Sequence, residues 1–315
     1  MMAITLLKRI PSLLIVLFGV TVLTFFMSAL STVDPAEAFA RRTLLNPTSV
    51  QIADIRQGMG LDQPVYQQYL NWLVHSLTGD LGESLLTRNA VSSDIADKLP
   101  MTLSLVAASM FWVILLTIPV SILGALRKNS FWDHLISGFT ILGISLPSFW
   151  LGFLLLLIFA VTFPIFSVVE SGSIRSFILP SLSLALPIAA STIRLFRATL
   201  LSNLNKDYVL YAKARGLNMR TIMWKHVLKN SLPPLITLFS QYLGYMVVGS
   251  AVVESIFSWQ GIGTHLVNAI IARDLPTVNG CVLVIAVIFV ISNIFADMFN
   301  LALNPRLKFG GNTPA

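Results

Sequence analysis

Charged residues are scarce in this sequence, and their scarcity excludes an ordinary soluble domain. Only 11% of the 315 residues are Asp, Glu, Lys or Arg, whereas 55% are hydrophobic and the mean hydropathy is +0.79. A folded chain of 34.6 kDa needs more polar surface than this to face water on all sides. We therefore expect lipid to surround most of the folded chain.

Cysteine and histidine are too few for several kinds of site. The one cysteine, Cys281, lies in an apolar run and is predicted to be a small packing residue, which excludes a disulfide within one chain. The histidines share no close spacing, so we predict no metal site; they are His75, His134, His226 and His265. The sequence also lacks a G-x-x-x-x-G-K-[ST] phosphate loop, which excludes ATP hydrolysis by that route.

Long apolar runs are what the sequence has in abundance. A helix that crosses the hydrocarbon core of a membrane needs about 20 apolar residues. Six runs are candidates, at about residues 10–30, 101–126, 135–163, 178–200, 232–253 and 277–302. The first run follows a basic pair, as in a signal peptide, but it continues for longer than the apolar part of such peptides, and we expect a retained span. The predicted fold is an all-α polytopic membrane protein with six transmembrane helices.

The longest polar segment follows the first span, over residues 31–98. Apolar residues recur at helical spacing at Ile52, Ile55 and Met59, and again over 66–73. The turn-forming sequence GLDQP separates the two stretches. We therefore expect an extracytoplasmic loop that contains short helices.

The basic residues predict the orientation of the chain. If the N-terminus is cytoplasmic, 14 of the 21 Lys and Arg residues fall on the inside, eight of them between Arg194 and Lys229. The positive-inside rule then places both termini in the cytoplasm. The net charge of +7 reflects this bias, because a nucleic-acid-binding protein carries its basic face on a soluble domain. The expected divisions are an N-terminus with the first span, an extracytoplasmic loop, a core of five further spans and a cytoplasmic tail, over residues 1–30, 31–98, 99–303 and 304–315.

The densest basic cluster is the segment DYVLYAKARGLNMRTIMWKHVLKN, residues 207–230. Asp207 is predicted to cap a first helix, Gly216 to end it in the left-handed conformation, and Asn218 to begin a second helix that leads into the fifth span. One interpretation is a positive-inside loop whose amphipathic second helix lies on the lipid headgroups. The other is a lever for a cytoplasmic partner, which the small side chains of the first helix and the compact turn favour.

Polar residues at membrane depth are costly and therefore suggest a function. In the last span such residues are spaced by 4, 3 and 4 and share one helical face; they are Asn293, Asp297, Asn300 and Asn304. They form either a wall of a translocation pathway or a hydrogen-bonded seam between helices. Asp297 is interpreted as the only carboxylate well inside a span, so the catalytic pair expected of an intramembrane enzyme is missing.

Nine sequence blocks occur in a characteristic order: STVDPAEAF, GLDQPVYQQYLNWL, GDLGESL, DKLPMTLSL, SLPSFWLG, ILPSLSLAL, DYVLYAKARGLNMRTIMWKHVLKNSLPPL, VVESIFSWQGIGTHLVNAIIARDLPTVNG and NPRLKF. Together they resemble the permease subunits of ABC importers, and in particular the dipeptide, oligopeptide and nickel permease family. The resemblance covers nearly the whole chain. It implies the type I ABC importer permease fold and a location in the bacterial cytoplasmic (inner) membrane.

The same resemblance implies a role for the basic segment. In such importers a cytoplasmic loop, here residues 203–231, carries a coupling helix that docks on an ATPase subunit. The matching positions predict the coupling contact; they are Tyr208, Ala212, Ala214, Arg215, Gly216 and Leu217. The general permease motif begins Glu-Ala-Ala, whereas this chain has Leu210, Tyr211 and Ala212, which is similar to the peptide and nickel branch.

The resemblance also implies the partners. They are a second homologous permease subunit in a heterodimer, two ATPase subunits that use ATP and Mg, a periplasmic or lipid-anchored solute-binding protein, and membrane lipid. The chain itself is expected to be no enzyme and to bind no cofactor. The substrate stays open between nickel or another metal chelate and di- or oligopeptides, with several blocks closer to the nickel branch. The alternatives are a polytopic membrane enzyme and a free-standing carrier, whose two inverted halves this sequence does not suggest.

Overall fold

The computed structural model describes residues 2–30, 34–166 and 173–303. Within these ranges the chain is helical, and the one β-type pairing is an isolated bridge between Glu83 and Ala90. The helices are α1 (Met2–Ala29), α2 (Pro35–Thr43), α3 (Ser49–Gly58), α4 (Val65–Leu77), α5 (Val91–Leu126), α6 (Phe131–Ser145), α7 (Ser148–Leu156), α8 (Ile174–Leu204), α9 (Asp207–Ala214), α10 (Met219–Ile222), α11 (Leu228–Ile256), α12 (Ile262–Ala272) and α13 (Leu275–Leu303). Two π-helical segments follow α7 and α10 directly, at Leu157–Thr162 and Met223–Val227. The predicted all-α class is confirmed, and the predicted tail 304–315 lies outside the described residues.

Within the described ranges, four helical stretches are long and apolar enough to cross a membrane. They are α5, α8, the continuous run Met219–Ile256 and the part of α13 over Leu275–Phe299. In α1 the apolar part, Leu13–Met27, is shorter than these. The structure therefore contains four candidate spans, or five with the broken pair described next, and the count of six stays a prediction.

The predicted third span is a broken helix pair. Helix α6 and the run Ser148–Thr162 meet at a bend of 104°. Pro147 lies in the break as the N-cap of α7, and its ring removes the N–H that would continue the α6 hydrogen-bond ladder. By contrast, Pro187 in α8 and the pair Pro233 and Pro234 in α11 lie inside continuous helices.

The chain forms two compact units. One, which we call the coupling unit, comprises the described residues of 1–5, 104–258 and 289–315, and the other, the loop unit, comprises those of 6–103 and 259–288. In the coupling unit α8 packs against α6, α7 and α11. Helices α6 and α8 approach closely at Gly143, where an added Cβ would lie 2.7 Å from Cβ of Ala190. This contact requires glycine on α6 and a small residue on α8.

The loop unit contains the short helices that the sequence predicts. Helices α3 and α4 confirm the two predicted stretches, and Thr48 and Gln51 form a capping box at the start of α3. Helix α12 is a further short helix, between α11 and α13. Trp259 is 5% exposed, and its Nε1 donates a hydrogen bond to O of Met101 at 3.0 Å.

Buried carboxylates organise the polar interior of the loop unit. Ser84 and Thr277 donate hydrogen bonds from their hydroxyls to Oδ2 of Asp274, at 2.6 and 2.8 Å. Asn89 donates from Nδ2 to Oδ1 of Asp94 at 3.0 Å. These bonds compensate for the loss of hydration of both carboxylates, which are nearly fully buried. Burial also lowers the pKa of His265 in the same unit.

Candidate functional site

The basic segment folds as a helix, a glycine turn and a second helix, as predicted. Helix α9 begins at Asp207, with Lys206 as its N-cap, so Asp207 lies in the first turn and does not cap the helix as predicted. Gly216 has a φ of +80°, which confirms the predicted left-handed conformation. The N–H of Gly216 donates to O of Lys213 at 2.9 Å and that of Leu217 to O of Ala212 at 3.2 Å. The two bonds form a Schellman motif, which satisfies carbonyl groups at the end of α9.

The second helix is continuous with the next span. The side chain of Asn218 accepts a hydrogen bond from N of Thr221 at 2.8 Å, which confirms it as the N-cap. Helix α10 then passes through the π-helical segment into α11 without a break. The turn at Gly216 is therefore followed closely by a continuous helical run that includes a candidate membrane span.

The apolar face of this segment packs against the chain itself. Buried residues from five helices and the π-helical segment form one cluster, which we call the coupling core: Ile122, Ala125, Phe196, Leu200, Val209, Ala212, Ile222, Met223, Val227 and Leu235. Ile222, Met223 and Val227 are fully buried in it. The interpretation that the second helix uses this face to lie on lipid headgroups is therefore wrong. Internal packing covers that face instead.

The opposite face of α9 is open. Leu210 is 68% exposed and Tyr211 is 71% exposed, and Ala214, Arg215 and Leu217 are also exposed around the turn. Because α9 packs on the coupling core through its other face, these exposed side chains are candidates for contact with another protein. The sequence prediction missed Leu210 and Tyr211, although both occupy positions of the permease motif.

The predicted coupling residues thus divide into two groups. Ala214, Arg215, Gly216 and Leu217 lie together at the exposed turn. Ala212 is 7% exposed and belongs to the coupling core, and Tyr208 is half-buried against the same core. In this chain the small side chain of Ala212 allows α9 to pack closely on its own unit, and its contact with a partner stays a prediction.

A hydrogen-bond network joins α9 to the helices on either side. Asn203, at the end of α8, donates from Nδ2 to Oγ of Ser231 in α11 at 3.0 Å and to O of Thr199 at 3.1 Å. Tyr208 donates from its hydroxyl to Oδ1 of Asn203 at 3.4 Å. Because Asn203 and Ser231 are buried, the network fixes the position of α9 relative to α8 and α11.

The predicted pathway residues lie on one face of α13. Asn293 and Asp297 are both half-buried, and Asn293 donates from Nδ2 to O of Phe289 in its own helix at 2.9 Å. Of the two other residues in that pattern, the side chain of Asn300 and the whole of Asn304 lie outside the described residues. Whether Asn293 and Asp297 line a pathway or form a seam stays a prediction.

The sequence prediction missed a buried carboxylate near the end of the fifth predicted span. Glu254 lies in α11, is fully buried, and accepts a hydrogen bond on Oε1 from Oγ of Ser250 at 2.9 Å. Asp297 is therefore not the only carboxylate in a candidate span. The i, i+4 spacing of Ser250 and Glu254 was a usable signal, but the predicted span ended one residue before Glu254. Among the described residues no three His, Cys, Asp or Glu side chains are grouped to hold a metal ion.

Comparison with known families assigns both parts of the chain. Residues 117–309 match the binding-protein-dependent transport system inner membrane component family. Residues 2–106 match the N-terminal region of binding-protein-dependent transport system membrane components. The coupling segment lies within the first match and the short loop helices within the second.

Individual relatives extend over almost the full chain. The glutathione transport system permease protein GsiC of Escherichia coli O6:H1 strain CFT073 is 34% identical over 304 residues, which is 96% of this chain and 98% of the relative. GsiC of Salmonella typhimurium strain LT2 is 35% identical over 303 residues with the same coverage, and GsiC of Escherichia coli K12 is 33% identical over 304. The chain therefore belongs to the binding-protein-dependent inner-membrane permease family, as a non-enzymatic permease subunit of an ABC importer of the dipeptide and oligopeptide group.

Proposed function

We propose that this chain forms half of a translocation pathway for short peptides and couples it to ATPase subunits through the turn after α9. This proposal rests on Leu210 and Tyr211, which are exposed on α9. The other face of α9 packs in the coupling core. A partner that docks there pushes on α9, and the continuous run Met219–Ile256 transmits the push into the bundle. Six spans with both termini in the cytoplasm and the 31–98 loop outside complete the proposed arrangement.

The proposed complex contains four further subunits. A homologous permease completes the pathway, two ATPase subunits bind ATP and Mg, and a solute-binding protein delivers the substrate. The chain itself needs no cofactor for this role, because it contributes helices that line the pathway and a surface that binds the ATPase subunit. Asn293 and Asp297 are the proposed polar groups of the pathway.

A peptide substrate is supported by the named relatives. These relatives are named glutathione transport permeases, and glutathione is a tripeptide. Several sequence blocks are more similar to nickel permeases, but the relatives named above are glutathione permeases. Uptake of a labelled tripeptide and of nickel by cells that carry the complete transporter discriminates the two substrates, and saturable nickel uptake without tripeptide uptake would reverse this assignment.

Two substitutions test the docking surface. Leu210→Asp places a charge within the exposed apolar pair, and we expect about thirtyfold weaker retention of the ATPase subunits, since a hot-spot residue contributes about 2 kcal/mol. Gly216→Val forces a β-branched residue to a φ of +80°, which costs about 1–3 kcal/mol of backbone strain. A Cβ at this position meets nothing within 4 Å, so the effect is confined to the turn. We expect this variant to be inserted but uncoupled.

The control is Val74→Asp, which alters an equally exposed apolar residue on α4. Co-purification of the ATPase subunits and transport are measured for all three variants in the same membranes. Normal ATPase retention and normal transport in both Leu210→Asp and Gly216→Val would contradict the proposal.

A further inference from the structure

The loop unit contains an open cavity of about 830 Å³ that the coupling role does not use. Its walls come from α4, from the turn between α3 and α4, from the chain segment 80–88 and from the start of α13. Small-molecule sites in proteins have volumes of about 300–1,000 Å³ and combine apolar walls with a few polar groups. The cavity falls within that range and lies within one compact unit.

Two polar atoms of the cavity-lining residues lack hydrogen-bond partners among the described residues. They are Nε1 of Trp72, on α4, and Oδ1 of Asn279, on α13; both atoms are buried, and Asn279 is 5% exposed. Buried polar groups are nearly always bonded, so an unsatisfied one in a cavity wall requires an explanation. One atom needs an acceptor and the other needs a donor. A peptide group offers both, through its carbonyl oxygen and its N–H.

The charged residues of the cavity fit the ends of such a ligand. Asp80 and Glu83 lie on one wall, and within the described ranges neither forms an ion pair. Arg88, on the same chain segment, holds its guanidinium 4.0 Å from the ring centroid of Phe39. The cavity therefore presents both signs of charge, which match the ammonium and carboxylate ends of a short peptide.

An aromatic wall borders these polar groups. Phe25 and Trp72 both line the cavity, with ring centroids 6.1 Å apart. Apolar rings exclude water, and hydrogen bonds and ion pairs beside them are stronger than in bulk solvent. The wall also offers a surface to the aliphatic part of a peptide.

We propose that the loop unit binds a short zwitterionic peptide in this cavity, with Trp72 donating to a peptide carbonyl and Asn279 accepting from a peptide N–H. Both atoms are buried, so each bond requires its side chain to rotate toward the cavity. This proposal rests on the proposed function in one respect, that the imported solute is a peptide. It adds a substrate site on the permease itself, formed by residues outside the coupling unit.

Triglycine is the probe, titrated by saturation-transfer NMR against the assembled transporter in lipid nanodiscs, without solute-binding protein and without nucleotide. We expect saturable binding to the unmodified complex. Trp72→Phe retains the ring but removes the N–H, Asn279→Leu removes the acceptor, and each weakens binding about tenfold. Asn279→Asp retains an acceptor oxygen and preserves binding. Acetylated and amidated triglycine, which lacks both charges, binds about tenfold more weakly.

Matched controls are Trp132→Phe, in the coupling unit, and Gln67→Leu, an exposed residue of α4 that does not line the cavity. If Asn279→Leu does not yield a monodisperse complex, the affinities of Trp72→Phe and Asn279→Asp for triglycine test the proposal in its place. Absence of binding to the unmodified complex, or equal affinity in Trp72→Phe and the controls, would overturn the proposal. Uptake of labelled tripeptide by cells that carry the unmodified transporter is measured in parallel. Uptake without binding to the cavity overturns the cavity site alone, whereas absence of uptake overturns the peptide substrate of the proposed function.

Discussion

A single ion pair shows how one buried charge constrains the coupling unit. Arg197, on α8, donates from Nε and Nη2 to the two carboxylate oxygens of Asp133, on α6, at 2.7 and 2.6 Å. Asn129 adds a backbone N–H bond to Oδ2 at 2.9 Å. Asp133 is 4% exposed, so its charge depends on these partners. Neither the charge pattern nor the periodicity of the sequence indicated this pairing across 64 positions.

At this scale we expect Arg197→Leu to be strongly destabilising. The substitution leaves the buried carboxylate of Asp133 without its cation, which costs about 3 kcal/mol. The double variant Asp133→Leu with Arg197→Leu removes both charges and recovers most of that loss. Thermal unfolding of the purified transporter measures both effects, and a double variant no more stable than Arg197→Leu alone would contradict the assignment.

Among the elements, α9 shows what periodicity and turn residues predict and what they leave open. Gly216 and Asn218 identify the turn and the second cap, because a left-handed residue and an N-cap are local features. Neighbouring helices decide which face of α9 packs inward, and the sequence pattern does not record them. For this reason Ala212, which was predicted to contact a partner, lies in the coupling core instead. The bend at Pro147 is similar: proline predicts a break, but its angle of 104° depends on the packing around α7.

At the scale of elements we expect Asn203→Leu to loosen α9. The substitution keeps the branched shape of the side chain but removes the bonds to Ser231, Thr199 and Tyr208, each of which contributes about 1 kcal/mol. The bond to Tyr208 is the one that joins Asn203 to α9, so amide hydrogen exchange over residues 207–217 should become about fivefold faster.

Asn230→Leu is the control, since Asn230 is exposed and lies beside Ser231 on α11. Unchanged exchange in Asn203→Leu would show that the coupling core alone holds α9 in place.

For the whole molecule, orientation in the membrane is the main prediction that the fold does not test. The positive-inside bias places α4 outside and α9 inside. With a membrane-impermeant maleimide, Gln67→Cys should be labelled in intact spheroplasts and Lys213→Cys only after permeabilisation. Cys281 is fully buried and needs no replacement. The reverse labelling pattern would contradict the proposed topology.

By itself, the sequence determined the class of this protein, its helices and its family, because hydropathy, helical periodicity and turn chemistry are local properties that the sequence blocks record directly. Only the tertiary structure decided which side of each helix is covered. It buried Ala212, Trp259 and Glu254, paired Asp133 with Arg197, and formed the cavity between α4 and the start of α13. These outcomes depend on contacts between residues far apart in the chain, and burial and hydrogen bonding, rather than local pattern, determine those contacts.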